Sequence, residues 1–97
     1  MAKRYVLFFA ESELSEDDLL RFSEVVRGYH QTAKIIAVKG NQKAVIVKTT
    51  NQVAPVLRDI RPGIRVGGID FVSVLTSGAI GNLKKRASEA ANNGKVP

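Results

Sequence analysis

Between Tyr5 and Ala10 the chain reads Tyr-Val-Leu-Phe-Phe-Ala, apolar at odd and even positions alike. A strand with one wet face alternates apolar and polar residues, so an aromatic and β-branched run without that alternation belongs in the middle of a sheet covered on both sides. Lys3 and Arg4 in front of it resemble the flank of a signal peptide, but six apolar residues are too few for one and Glu11 ends the run. The rest of the 97 residues must supply two covering layers, which is material for one core. The expectation is a single domain over residues 1–91 with a flexible tail at 92–97.

The remaining pattern supplies those layers. Ser15 stands three residues before Asp18, a capping-box spacing, and Glu16, Asp17 and Asp18 suit the positive end of a helix. Leu19, Phe22, Val26 and Tyr29 recur at helical spacing as the buried stripe, Arg21, Glu24 and Arg27 face outward, and Gly28 marks the end. Lys34 to Lys39 and Ala44 to Thr49 are short β-branched runs joined by Gly40-Asn41-Gln42, which predicts an antiparallel pair. Thr50 or Asn51 caps a short helix with Val53, Val56, Leu57 and Ile60 on its apolar side and Pro55 in its first turns. Arg61 to Gly68, with one proline and three glycines, reads as a loop, and Ile69 to Thr76 as a strand. Ser77-Gly78 breaks it, and a helical pattern runs from Ile80 through Leu83, Ala87 and Ala90 to Ala91. The order is β-α-β-β-α-β plus a C-terminal helix: an α+β, split βαβ sandwich of the kind shared by ferredoxin-like and RNA-recognition folds.

Composition narrows the function. Without cysteine there is no disulfide framework, thiolate metal site or cysteine nucleophile, which fits a cytoplasmic protein, and no stretch approaches the ~20 apolar residues that span a bilayer. His30 is the only histidine, Asp59 and Asp70 stand alone, and Asp17 and Asp18 serve the helix start, so no catalytic or metal-binding constellation is expected. The formal charge is +6, unevenly placed: residues 1–24 hold three basic and six acidic side chains, the rest twelve and three. Such a chain suits a polyanion. Candidate phosphate contacts are the arginines Arg58, Arg61 and Arg65 and the run Lys84-Lys85-Arg86, whose cations spread around most of a helix. Ser77 and Gly78, at a strand-to-helix turn, offer backbone N–H groups to an anion, although an ordinary helix cap explains them as well. Base stacking is disfavoured, because Val45 and Val47 stand where an RNA-recognition module carries its aromatic pair, and core packing is expected of Tyr5, Phe8 and Phe9.

The opening Lys3-Arg4-Tyr5-Val6-Leu7-Phe8 with Glu11-Ser12-Glu13-Leu14-Ser15-Glu16, and the closing Val72-Ser73-Val74-Leu75-Thr76-Ser77-Gly78-Ala79-Ile80 with Leu83-Lys84-Lys85-Arg86, together resemble the small ribonuclease P protein component 2 family of archaea and eukaryotes. The resemblance implies an accessory protein of an RNA-based endoribonuclease that removes 5′ leaders from precursor tRNA. The RNA, with its own Mg²⁺ requirement, would carry the chemistry, and the protein would bind no cofactor and have no active site. It implies as partners the ribonuclease P RNA, protein component 3 in a heterodimer or heterotetramer, and precursor tRNA indirectly, with no membrane. Leu20, Arg21, Glu24 and Arg27 on the first helix are the candidate protein-partner face. Two other readings stay open: a generic RNA-binding or ribosome-associated domain, and a ferredoxin-like regulatory domain whose Arg61 to Gly68 loop holds a small anionic ligand.

Overall fold

A computed structural model describes residues 3–93, with side chains as far as Ala91. The chain forms β1 (Lys3–Ala10), α1 (Glu16–Tyr29), β2 (Lys34–Ala37), β3 (Ala44–Thr50), α2 (Ala54–Arg58), β4 (Ile64–Val66), β5 (Ile69–Ser77) and α3 (Ile80–Asn93). The five strands make one antiparallel sheet in the order β2-β3-β1-β5-β4, with β1 at its centre. Residues 94–97, the rest of the expected tail, lie outside the described residues; α3 itself runs on to Asn93.

Both faces of β1 are covered. Val6, Phe8 and Ala10 pack under α1 and α2, with Phe22 and Val26 from the first helix and Ala54 and Leu57 from the second. Phe22 is the keystone of that layer: its ring meets Phe8 edge-on at 5.3 Å between centroids and stacks on Phe71 at 4.2 Å. On the opposite face Leu7 and Ile46 are buried beneath Leu83 and Ala87 of α3, with Tyr5 and Phe9 at the margins. Val45 and Val47 point into the α1/α2 layer. Asn41 of the β2–β3 turn ties α3 down by donating from Nδ2 to the Ala87 carbonyl at 2.8 Å.

Local chemistry sets the element ends. The Asp18 N–H donates to Ser15 Oγ at 3.2 Å and the Ser15 N–H to Asp18 Oδ2 at 2.9 Å, closing the capping box. These bonds to Ser15 hold the Asp18 carboxyl below its usual value. The helix does not stop at Gly28: it continues through Tyr29 to a cap at His30, whose N–H reaches the Val26 carbonyl. The buried residues of the helix are Phe22, Ser23 and Val26, and Tyr29, expected on the stripe, is half exposed. The His30 ring is wedged between Thr49 Oγ1 at 2.9 Å and Thr32 Oγ1 at 3.0 Å.

Neither Thr50 nor Asn51 caps the second helix as expected: Thr50 Oγ1 accepts the Val53 N–H at 3.3 Å, but the helix proper begins at Ala54, with Val53 at its N-cap and no side-chain cap bond, and spans only five residues. So short a helix shows the sheet one side, Ala54 and Leu57, and leaves Val56 exposed where the stripe was expected to bury it. The expected loop from Arg61 to Gly68 is corrected as well, because it contains β4. Gly67 and Gly68, at φ of +57° and +82°, form a two-residue turn that returns Val66 onto Ile69. Gly63 lets the backbone approach the Phe71 carbonyl more closely than a Cβ would permit. Further along, Val74 is an extra residue between the pairs Leu7–Leu75 and Phe8–Ser73, a bulge that curls the sheet.

Leu83 is fully buried and belongs to the one helix over its face of the sheet. Leu83→Ala is expected to lower stability by about 2–5 kcal/mol in chemical denaturation. Acid should weaken the start of α1: a carboxyl depressed by folding contributes stability above its ordinary pKa and loses it as pH falls through the folded value. Asp18→Asn should flatten the acid limb of a stability-against-pH curve.

Candidate nucleic-acid interface

The strand register gathers cations that are far apart in sequence. Lys34 pairs with Lys48 across β2 and β3, and Lys48 pairs with Tyr5 of β1. Opposed residues of an antiparallel pair share a face, as do residues two apart on a strand, so Lys3, Lys34 and Lys48 converge on the α3 side at one end of the sheet. Their crowding has an electrostatic signature: the Lys48 ammonium is held below its usual pKa, chiefly by Lys3, with desolvation and Lys34 adding to it. None of the three has an acidic partner among the described residues, where the ion pairs are Arg58–Asp59 and Arg65–Asp70.

Arg4, between Lys3 and Tyr5, points to the opposite face, the side of α2. There Arg4, Asn51, Ala54, Pro55, Arg58 and Thr76 line a polar notch of about 410 Å³. The Arg4 guanidinium also lies against Gly78, 3.5 Å from where a Cβ would stand. The opposite end of the sheet is mixed in charge, with Lys39 and Lys43 beside the β2–β3 turn close to a run of carboxylates. Glu11 and Glu13 follow β1 and lead to Glu16, Asp17 and Asp18 at the start of α1.

The three arginines expected to act together are separated. Arg58 donates to Asp59 through Nε at 3.0 Å and a terminal nitrogen at 3.4 Å. This contact raises the Arg58 pKa and lowers that of Asp59. Arg61 donates to the Arg58 carbonyl at 2.9 Å, close enough for its charge to favour the Asp59 carboxylate too. Arg65 lies elsewhere, bonded across the β4–β5 hairpin to Asp70 at 2.8 Å. The six steps of β5 from Asp70 to Thr76 put it about 20 Å from the notch end.

Ser77 Oγ accepts from the Ala79 N–H at 3.1 Å and from Asn82 Nδ2 at 3.3 Å, so its hydroxyl organises the entry to α3. Gly78 is exposed beside it, and Lys84, Lys85 and Arg86 are all exposed on the helix that follows. They stand on the α3 side, across the sheet from Arg58. On α1, Leu20, Arg21, Glu24 and Arg27 are exposed, with Leu20 at 58%. Leu20, Glu24 and Arg27 form one stripe, while Arg21 reaches over Gly67 of the β4–β5 turn. Among the described residues no three acidic or histidine side chains converge as metal ligands, and no helix is long and apolar enough to cross a membrane.

Lys3, Arg4, Lys34, Lys48, Asn51 and Thr76 were not singled out as phosphate contacts in the sequence. One signal was there to read: Lys34 and Lys48 stand equally far from Asn41, so a symmetric hairpin sets them opposite one another.

Replacing Lys34 and Lys48 together with Gln should relieve repulsion without touching the core, so at low salt the variant melts at or above the wild-type temperature. Its RNA affinity should fall, and the slope of log affinity against log salt should shrink by about two. A slope unchanged across a salt series would mean that no phosphate backbone meets this end.

The chain matches no protein-family model and no curated protein sequence.

Proposed function

We propose that this protein is an RNA-binding accessory subunit of ribonuclease P, related to its protein component 2, and that it supports RNA-catalysed removal of 5′ leaders from precursor tRNA. The observation that carries the RNA-binding part is the cationic end of the sheet, where Lys3, Lys34 and Lys48 crowd together although solvent is open to them. Like charges at such spacing are unfavourable in the isolated protein and become favourable beside a polyanion. Arg4 and Arg58 extend that surface on the α2 face, while Lys84, Lys85 and Arg86 form a second basic patch further along α3, next to Ala87, which is tied to the β2–β3 turn. The ribonuclease P assignment rests on the resemblance of the two ends of the chain to that family.

The split βαβ reading is supported by the order β2-β3-β1-β5, to which β4 adds an edge strand. On this view the sheet face that an RNA-recognition module would offer to bases is taken by α3, which leaves phosphate contact rather than stacking as the mode of binding. Protein component 3 is the proposed protein partner, with the exposed stripe of α1 facing it; the working compartment is the cytoplasm, and Mg²⁺ is needed by the RNA.

Reconstituted precursor-tRNA cleavage, with the ribonuclease P RNA and the other protein components, tests the assignment. Adding this protein should raise the rate or lower the Mg²⁺ requirement, and reversing Lys84 and Lys85 to Glu should weaken RNA binding and flatten its salt dependence. A folded sample that leaves cleavage unchanged but binds RNA would instead favour a generic RNA-binding domain.

A further inference from the structure

We infer that the notch lined by Arg4, Asn51, Arg58 and Thr76 is a site for a single phosphate group. This deepens the RNA-binding reading by naming where one backbone phosphate sits, and its first test needs no RNA. Two exposed arginines from different elements, the start of β1 and the end of α2, line one notch about 410 Å³ in volume. Guanidinium is the side chain best shaped to grip phosphate through paired N–H donors. Asn51 also lines the notch, and Gly78 leaves the backbone bare beside Arg4.

Thr76 sets this notch apart from the other basic surfaces. Its Oγ1 is buried and has no hydrogen-bond partner among the described residues. Its place opposite Val6 in the register turns it toward the α2 side, where the notch lies. An unpaired buried hydroxyl is unfavourable, so its presence calls for an explanation. A phosphate drawn between the exposed Arg4 and Arg58 side chains would supply one, by giving the Thr76 hydroxyl an oxygen to donate to.

Asp59 is the built-in competitor. Its carboxylate occupies Nε and one terminal nitrogen of Arg58, leaving the other terminal nitrogen for a ligand. A phosphate that takes the paired edge must displace it.

The test follows backbone amide signals by NMR as inorganic phosphate is added at constant ionic strength, with chloride as the control. In the wild-type protein, signals of Arg4, Asn51, Thr76 and Gly78 should move along one saturating curve. Arg4→Gln and Arg58→Gln should each abolish saturation, and both positions are exposed, so the fold is kept. Asp59→Asn should tighten binding severalfold. Thr76→Val, close to the threonine in shape, should melt at or above the wild-type temperature yet bind phosphate more weakly. A titration centred on Lys84 to Arg86, one that never saturates, or one indifferent to Arg4→Gln and Arg58→Gln would overturn the proposal. A short single-stranded RNA, titrated into the same variants, then separates a backbone phosphate from a free one. If Arg4→Gln and Arg58→Gln leave RNA affinity unchanged while abolishing phosphate binding, the notch is a site for free phosphate and the RNA reading loses this contact only.

Discussion

Burial of β1 on both faces is the constraint from which the rest of the architecture follows. Val6, Phe8 and Ala10 need one apolar layer and Leu7 another, so helices must lie on each side of a sheet only five strands wide. The α1/α2 layer is built around the contacts of Phe22 with Phe8 and Phe71, the other around Leu83 and Ala87. With helices over both faces, and only Val72 and Leu75 of β5 left partly open on the α3 side, the sheet itself is most accessible at its ends and edges. That is why the charged groups with functional promise collect where strands begin and stop.

Charge is unevenly balanced along the strand direction, cationic at one end of the sheet and mixed at the other. The acidic residues after β1 sit at the start of α1, where the positive end of the helix dipole favours them, and Arg27 in its last turn complements the negative end. At the opposite end of the sheet the lysines of β1, β2 and β3 have no such compensation. The helix thus carries its own neutralisation, and the cationic surface is left to a partner.

Legibility in the sequence followed the range of the interaction. The central strand, the capping box and the β2–β3 hairpin depend on residues a few positions apart, and each could be read directly. β4 escaped because Arg61 to Gly68 is dominated by breakers, although Gly67-Gly68 between Val66 and Ile69 is itself a turn signature. The candidate site was harder. Arg58, Arg61 and Arg65 look like one cluster along the chain, but β4 carries Arg65 to the start of β5 and into a pair with Asp70. Lys3, Lys34 and Lys48 are separated in sequence and become neighbours only through register, which pattern reading does not supply unless the pairing is worked out strand by strand. Thr76 gave no signal, since an unpaired hydroxyl exists only once its surroundings are packed.

The place of β1 in the chain also bears on how the molecule assembles. The central strand is the first of the described elements, and its two neighbours, β3 and β5, arrive much later. Leu7 pairs with Ile46 on one side and Leu75 on the other, so nearly the whole described chain has to be looped back before the strand has both ladders. Contacts this distant in sequence demand loop-closure entropy before they return any stabilisation, which slows folding relative to a helical bundle of the same size. It also ties the parts together. A half-finished sheet leaves its most apolar strand with an unpaired edge until β5 is in place, so the topology favours a single cooperative transition.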